Sequence, residues 1–186
     1  MNPILLDIPG ELVSDRLLLR VPRAGDGVIV NAAVVESIAE IAPWMPWANP
    51  TPKIDDTEVW CRQAAAKFLT RSELHYSIYR RDNSAFIGNC GMHRINWDVS
   101  TAEIGYWLRT SACGGGYMTE AVESLVRLAF DALKLCRVEI RCDDRNVRSA
   151  KVAERADFML EGILRNDSRD SQQTLRSTRV YARLRG

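Results

Sequence analysis

Three consecutive glycines, Gly114, Gly115 and Gly116, stand between a predicted strand and a long predicted helix. Glycine lacks a Cβ atom, so the backbone here can approach a ligand closely. The first amides of a helix lack intrahelical partners and lie at the positive end of its dipole. This arrangement suits a pyrophosphate. The loop lacks the motifs of a P-loop or a dinucleotide fold, so a plain connector remains the alternative.

A pair of polar residues further along the chain also favours a functional role for this loop. Asn146 and Ser149 stand where another predicted strand gives way to a helix. Each has an ordinary role available, because Asn146 would fit a turn and Ser149 would fit a helix N-cap. The spacing leaves both the structural and the functional interpretation open.

Metal and disulfide chemistry are not indicated. The five cysteines form no C-x-x-C pair and are odd in number, which predicts reduced thiols and no zinc site. Cys113 is the one thiol whose setting, beside the glycines, suits reactivity. Its alternative is an inert loop thiol.

Composition indicates one soluble domain. The chain has 186 residues, 46% hydrophobic and 26% charged, which excludes collagen-like, coiled-coil and disordered classes. No apolar run could span a membrane and the start lacks a signal peptide's basic region, so a cytoplasmic location is expected. A net charge of +1 argues against nucleic-acid binding. Residues 137–186 carry a net +4, which favours a polyphosphate ligand.

Hydrophobic patterns predict an α+β fold with one mixed sheet. The predicted strands are 17–20, 75–79, 86–95, 101–108, 137–141, 159–165 and 179–184, and the predicted helices are 28–41, 55–69, 116–134 and 149–156. The segment 166–174 contains no apolar residue and is predicted to be a loop. The segment 43–52 holds four prolines and is a loop with two tryptophans, Trp44 and Trp47.

The order of strand, glycine loop, helix and strand, followed by Asn-x-x-Ser-x-x-Val-Ala-Glu-Arg-x-x-Phe over residues 146–158, resembles the GNAT superfamily of N-acetyltransferases. Within it the chain resembles the RimJ/RimL group, which acetylates the N-termini of ribosomal proteins. The segments that carry this likeness are 14–20, 44–47, 103–108, 160–162 and 181–183.

The resemblance implies a single acyl-CoA N-acyltransferase domain over residues 1–186. It implies a mostly antiparallel sheet, flanked by helices, with a V-shaped splay between two central parallel strands, 101–108 and 137–141. Acetyl-CoA would be the acyl donor, and no metal is expected. The coenzyme-binding residues implied are Tyr106, Trp107, Leu108, Cys113, Gly114, Gly115, Gly116, Tyr117, Met118, Thr119, Asn146, Ser149 and Arg155.

Catalytic roles also follow from the resemblance. Ser149 would give a proton to the departing thiolate, and Glu103 would be the general base. Glu103, Trp44 and Trp47 would contact the amine acceptor, either a protein N-terminus or a small molecule. No nucleic-acid or membrane partner is expected, and the chain would be a monomer or a homodimer. A GNAT enzyme for small amines and a non-catalytic acyl-CoA-binding module are the alternatives.

Overall fold

The computed structural model describes residues 2–170 and 172–186, and within them one mixed sheet of eight strands forms the centre of the fold. The strands are β1 (Glu11–Val13), β2 (Leu17–Arg20), β3 (Leu74–Arg80), β4 (Phe86–Asn96), β5 (Thr101–Leu108), β6 (Arg137–Asp143), β7 (Met159–Arg169) and β8 (Leu175–Leu184). Their order across the sheet is β1-β2-β3-β4-β5-β6-β8-β7. The β5–β6 pair is parallel and the other neighbours are antiparallel, which confirms the predicted sheet.

Helices cover both faces of this sheet. They are α1 (Gly27–Glu36), α2 (Ile38–Ile41), α3 (Ile54–Thr70), α4 (Tyr117–Arg127) and α5 (Val147–Arg155). On one face Ile104 of β5 belongs to the same buried cluster as Leu125 of α4. On the other face Trp107 belongs to a cluster with Val34 of α1. Since alternate residues of a strand point to opposite faces, β5 contributes to both cores.

Two predicted helices are shorter than expected. The helix predicted over 28–41 is interrupted at Ser37, a buried residue whose hydroxyl accepts a hydrogen bond from the Thr110 amide at 2.9 Å. The helix predicted to run to Lys134 is α-helical only to Arg127, and a π-helical turn, Leu128–Ala132, follows it. Sequence periodicity does not detect such local changes of helix type.

The prediction of a loop over 166–174 is wrong in its first half. Strand β7 continues to Arg169, with Ser168 paired to Arg176 of β8. Residues 166–169 of this edge strand are mostly exposed and include no apolar side chain, so backbone pairing with β8 holds them in the sheet. Ser171, which falls in the same prediction, lies outside the described residues.

Candidate active site

The parallel strands β5 and β6 are paired along only part of their length. Thr101 pairs with Arg137, Ala102 with Val138 and Glu103 with Glu139. Beyond these positions β5 remains paired with β4 as far as Leu108, and β6 remains paired with β8 as far as Asp143. The two strands therefore diverge into a V-shaped gap, as expected. Backbone N–H and C=O groups that face the gap lack the strand partner that such groups normally have.

Tyr106 of β5 connects the gap to helix α5. Its hydroxyl donates to the Ser149 carbonyl at 3.1 Å and lies 3.1 Å from the Ser149 hydroxyl. Burial raises the pKa of Tyr106, and the hydrogen bond with Ser149 only partly opposes this rise. The phenol is therefore neutral at physiological pH and can donate to Ser149.

Asn146 is the N-cap of α5, and Ser149 is the residue whose amide it caps. The Asn146 Oδ1 accepts a hydrogen bond from the Ser149 amide at 3.1 Å. Ser149 is thus not the N-cap, and its hydroxyl remains available toward the gap. Burial raises the pKa of Cys142 on β6, and Ser149 partly opposes this rise. Cys142 alternates with the buried residues Val138 and Ile140 and therefore lies on the same face of β6.

The glycine loop ends at the N-terminus of α4. Gly114 (φ +88°) and Gly116 (φ +76°) have left-handed backbone conformations, which glycine adopts most readily. Gly116 is the N-cap of α4, and no side chain of the N-cap satisfies the first amides of the helix. Within residues 2–170 and 172–186, the amides of Gly114 to Tyr117 have no recorded protein acceptor. The loop therefore presents amide donors to an anion.

Cys113 precedes these glycines and is exposed. Partial burial of its sulfur raises the pKa of Cys113, although Arg148 acts to lower it. The thiol is therefore protonated at neutral pH, which disfavours the reactive interpretation.

Glu103 lies on the opposite face of β5 from Tyr106. Its Oε2 accepts a hydrogen bond from Arg94 Nη1 at 3.0 Å, and its Oε1 is 3.8 Å from His93 Nε2. The side chain is only 14% exposed. Glu103 and Ser149 thus flank the gap from two faces of the sheet and do not contact each other.

The tryptophan loop packs on the same face as Glu103. The Trp47 ring lies 6.2 Å, centroid to centroid, from the ring of Trp107, which in turn lies 6.0 Å from Phe86. Trp47 is 48% exposed, whereas Trp44 is partly buried. The loop therefore forms a wall with one solvent-accessible indole on the face opposite α4 and α5.

The other residues implied by the resemblance divide into three groups. Leu108 and Thr119 are partly buried near the loop, but the Met118 side chain belongs to the core, so only its backbone could reach a ligand. The Trp107 side chain faces the tryptophan loop, which likewise leaves its backbone. Arg155 is exposed at the other end of α5, about 9 Å along the helix from Ser149. The structure does not bring Arg155 to the gap.

An open cavity of about 280 Å³ lies beside the glycine loop. Its lining includes Arg80, Arg109, Cys113, Gly115 and Tyr117. The two arginines were not singled out in the sequence, because each follows a strand as an ordinary surface cation would. Each is paired with a carboxylate, Arg80 with Asp82 and Arg109 with Glu36.

Two further properties concern the described part of the chain. No group of three or more metal-ligating side chains occurs there. Its helices also lack the combination of length and apolar character that crossing a bilayer requires.

Comparison with known families and proteins gives a consistent result. Residues 16–159 match the family described as "Acetyltransferase (GNAT) domain". The chain is 40% identical over 96 residues to "Probable N-acetyltransferase YjcK" of Bacillus subtilis, covering 51% of this chain and 53% of that protein. It is 34% identical over 114 residues to "Ribosomal-protein-serine acetyltransferase" of Escherichia coli, covering 59% of each. The chain spans about half the length of the first curated relatives it matches.

A solved structure has a similar fold. It is that of RimL, a ribosomal L7/L12 alpha-N-protein acetyltransferase, in complex with coenzyme A. The TM-score is 0.86 at 22% identity, and the match covers 93% of this chain and 96% of the other. The likeness establishes the fold.

Proposed function

The chain belongs to the GNAT acetyltransferase family, and we propose that it transfers the acetyl group of acetyl-CoA to a primary amine. The acceptor we propose is the N-terminal α-amino group of a protein or peptide. A single acyl-CoA N-acyltransferase domain over residues 1–186 carries the reaction. The observation on which the proposal rests is the gap between β5 and β6, with the glycine loop following β5 at its open end.

Two features of acetyl-CoA match this gap. Its pantetheine arm contains amides, which would bond to the free backbone of Tyr106 to Leu108 as an added strand would. Its pyrophosphate is an anion, which would accept hydrogen bonds from the amides of Gly114 to Tyr117. Asn146 uses its oxygen as a cap, so its side-chain nitrogen would be the group that bonds to the arm.

The reaction we propose is a direct transfer. The neutral amine attacks the thioester carbonyl carbon, and a backbone amide of β5 stabilises the oxyanion that forms. The carbon–sulfur bond then breaks, and the thiolate takes a proton from the Ser149 hydroxyl, which Tyr106 contacts at 3.1 Å. Glu103, on the other face of β5, accepts the proton that the amine loses. Ser149 regains a proton from solvent, and Glu103 releases its proton to solvent.

The protonation of the amine favours a peptide N-terminus over a lysine. An α-amino group with a pKa of about 8 must lose a proton at pH 7 at a cost of about 1.4 kcal/mol. A lysine with a pKa of about 10.4 costs about 4.6 kcal/mol. Glu103 is the single carboxylate proposed as the base, so the amine that loses its proton more easily is the better acceptor.

The name of the Escherichia coli relative, "Ribosomal-protein-serine acetyltransferase", supports a protein acceptor. A ribosomal protein would place the reaction in the cytoplasm. Trp47, which is exposed on the face opposite Ser149, would contact the first residues of such a peptide.

A thermal-shift titration with acetyl-CoA tests the donor. Acetyl-CoA at a concentration of 100 times its dissociation constant should add about 2.7 kcal/mol to the free energy of unfolding. Desulfo-CoA, which retains the pyrophosphate, serves as the matched ligand without the sulfur. No shift at millimolar acetyl-CoA would contradict the proposed function.

A thiol-release assay tests the acceptor. The substrates are a ribosomal N-terminal peptide, the same peptide with a blocked α-amino group and an internal lysine, and a panel of polyamines and aminoglycosides. We expect CoA release with the free N-terminus only. Release with small amines alone would favour a small-molecule acetyltransferase. Bound acetyl-CoA that no amine consumes would favour a non-catalytic module.

A further inference from the structure

Arg16, just before β2, contacts the glycine loop through its side chain. Its Nη1 donates to the Gly115 carbonyl at 2.8 Å. Its Nε donates to Glu120 Oε2 at 2.7 Å, and its backbone amide donates to Glu120 Oε1 at 2.8 Å. Glu120 lies in the first turn of α4. One arginine therefore bonds both to the loop and to the helix that the loop begins.

Glu120 is held firmly in this arrangement. The Ser14 hydroxyl donates to its Oε1 at 2.7 Å. Burial alone would raise the pKa of Glu120, but the donors from Arg16 and Ser14 lower it overall. Glu120 is thus a carboxylate that balances the charge of Arg16, and it sits near the positive end of the α4 dipole.

The ring of Tyr117 extends the same contact. The Arg16 guanidinium lies 4.7 Å from its centroid, and that of Arg80 lies 5.5 Å from it. Cation–π attraction of this kind favours this position of the ring. Tyr117 directly follows Gly116, so these contacts of its side chain also restrain the end of the glycine loop.

We propose that Arg16 is a positioning residue for coenzyme binding, and this inference rests on the proposed function. A loop of three glycines has many conformations, and in some of them a carbonyl would face the pyrophosphate and repel it. By bonding to the Gly115 carbonyl, Arg16 selects the conformation in which the loop amides remain available as donors. The loop is then organised before the ligand binds, which lowers the entropy cost of binding.

Because Glu120 neutralises Arg16, the arginine acts by orientation rather than as a phosphate ligand. The two roles make opposite predictions for Glu120→Gln. A direct phosphate ligand would bind the coenzyme more tightly once its competing carboxylate is gone. A positioning arginine would be held less firmly, because the amide keeps one acceptor oxygen but not the charge, and coenzyme affinity would fall.

Steady-state kinetics with two acyl donors test the proposal. Arg16→Ala should raise KM for acetyl-CoA about tenfold, the effect of losing one charge-assisted hydrogen bond, and leave kcat within about twofold. S-acetylpantetheine lacks the pyrophosphate, so its kinetic constants should not change. Arg16→Lys should restore part of the affinity. The control is Arg23→Ala, which breaks the exposed pair of Arg23 with Glu11 away from the loop and should leave KM unchanged.

Each outcome discriminates. If wild-type protein binds acetyl-CoA and the Arg16 variants have the wild-type KM for acetyl-CoA, the inference is wrong while the proposed function stands. Equal losses with both donors would also overturn it, because they would indicate a general structural role. If wild-type protein does not bind acetyl-CoA, both fail together. Urea unfolding verifies that each variant is folded. If Arg16→Ala does not fold, the KM values of Arg16→Lys and Glu120→Gln test the inference in its place.

Discussion

Replacing Gly116 with alanine isolates the backbone requirement of the glycine loop. A Cβ atom built on Gly116 would lie 3.6 Å from Arg16 Nη2, which is an ordinary van der Waals distance. The substitution therefore introduces no steric clash. It changes only the ease with which the residue holds its left-handed conformation, φ +76° and ψ 3°.

The cost follows from that conformation. A residue with a Cβ atom pays about 1–2 kcal/mol to adopt the left-handed region. For a domain of this size, 1 kcal/mol lowers Tm by about 2–4 °C, so Gly116→Ala should lower it by about 2–8 °C. Asparagine tolerates this region and is a favourable N-cap, so Gly116→Asn should lose less. Gly115→Ala differs in kind, because its Cβ would lie 2.8 Å from the Tyr117 ring.

Thermal melting and acetyl-CoA titration of wild type, Gly116→Asn and Gly116→Ala provide the assay. We expect the Tm order wild type, Gly116→Asn, Gly116→Ala, and weaker acetyl-CoA binding in step with it, since a relaxed loop no longer directs the amides of α4. A Gly116→Ala protein that melts with the wild type and binds acetyl-CoA equally well would refute the reasoning.

Three further predictions concern the rest of the site and its support. Ser149→Ala should lower the rate of CoA release about 100-fold in a single-turnover assay, and Tyr106→Phe should lower it less, because the phenol acts only through Ser149; unchanged rates would leave Ser149 without a catalytic role. Asn146→Ala removes the cap of α5 and should cost about 1 kcal/mol in urea unfolding, whereas Asn146→Ser, which keeps a capping oxygen, should cost less. The pKa of His75 is lowered, chiefly by burial and against the opposing effect of Glu73. The neutral imidazole therefore contributes stability that is present above pH 6.5 and is lost as pH falls. The free energy of unfolding in urea should differ less between pH 7.5 and pH 5.5 for His75→Gln than for wild type.

Local patterns predicted the parts of the fold whose burial is regular. The stripe of Met118, Val122 and Leu125 gave α4, and all three side chains are buried. Strand β5 was predicted with its observed bounds, because the polar residues Ser100 and Arg109 flank it. Where one element lacks a buried face, as in β7 beyond residue 165, the pattern carried no signal and the prediction failed.

The site was predictable only in its local components. Asn146 and Ser149 are three residues apart, a spacing that permits either of them to cap α5, and only the bond from the Ser149 amide to Asn146 decides between them. The contact of Arg16 with Glu120 joins residues 104 positions apart. No periodicity or short motif contains such a pair, so the support of the glycine loop could be found only in three dimensions.

The gap itself follows from how each strand is held. At the closed end the Cys136 amide donates to the Ser100 carbonyl at 2.8 Å, and the β5–β6 pairs follow directly. At the open end each strand keeps its outer neighbour, while Tyr106 of β5 bonds to Ser149 on α5 and not to β6. The divergence is therefore built from contacts within the chain. A ligand that enters the gap would form hydrogen bonds with the backbone of both strand edges without first separating paired strands. A long arm that contains amides therefore suits this fold better than a compact ligand.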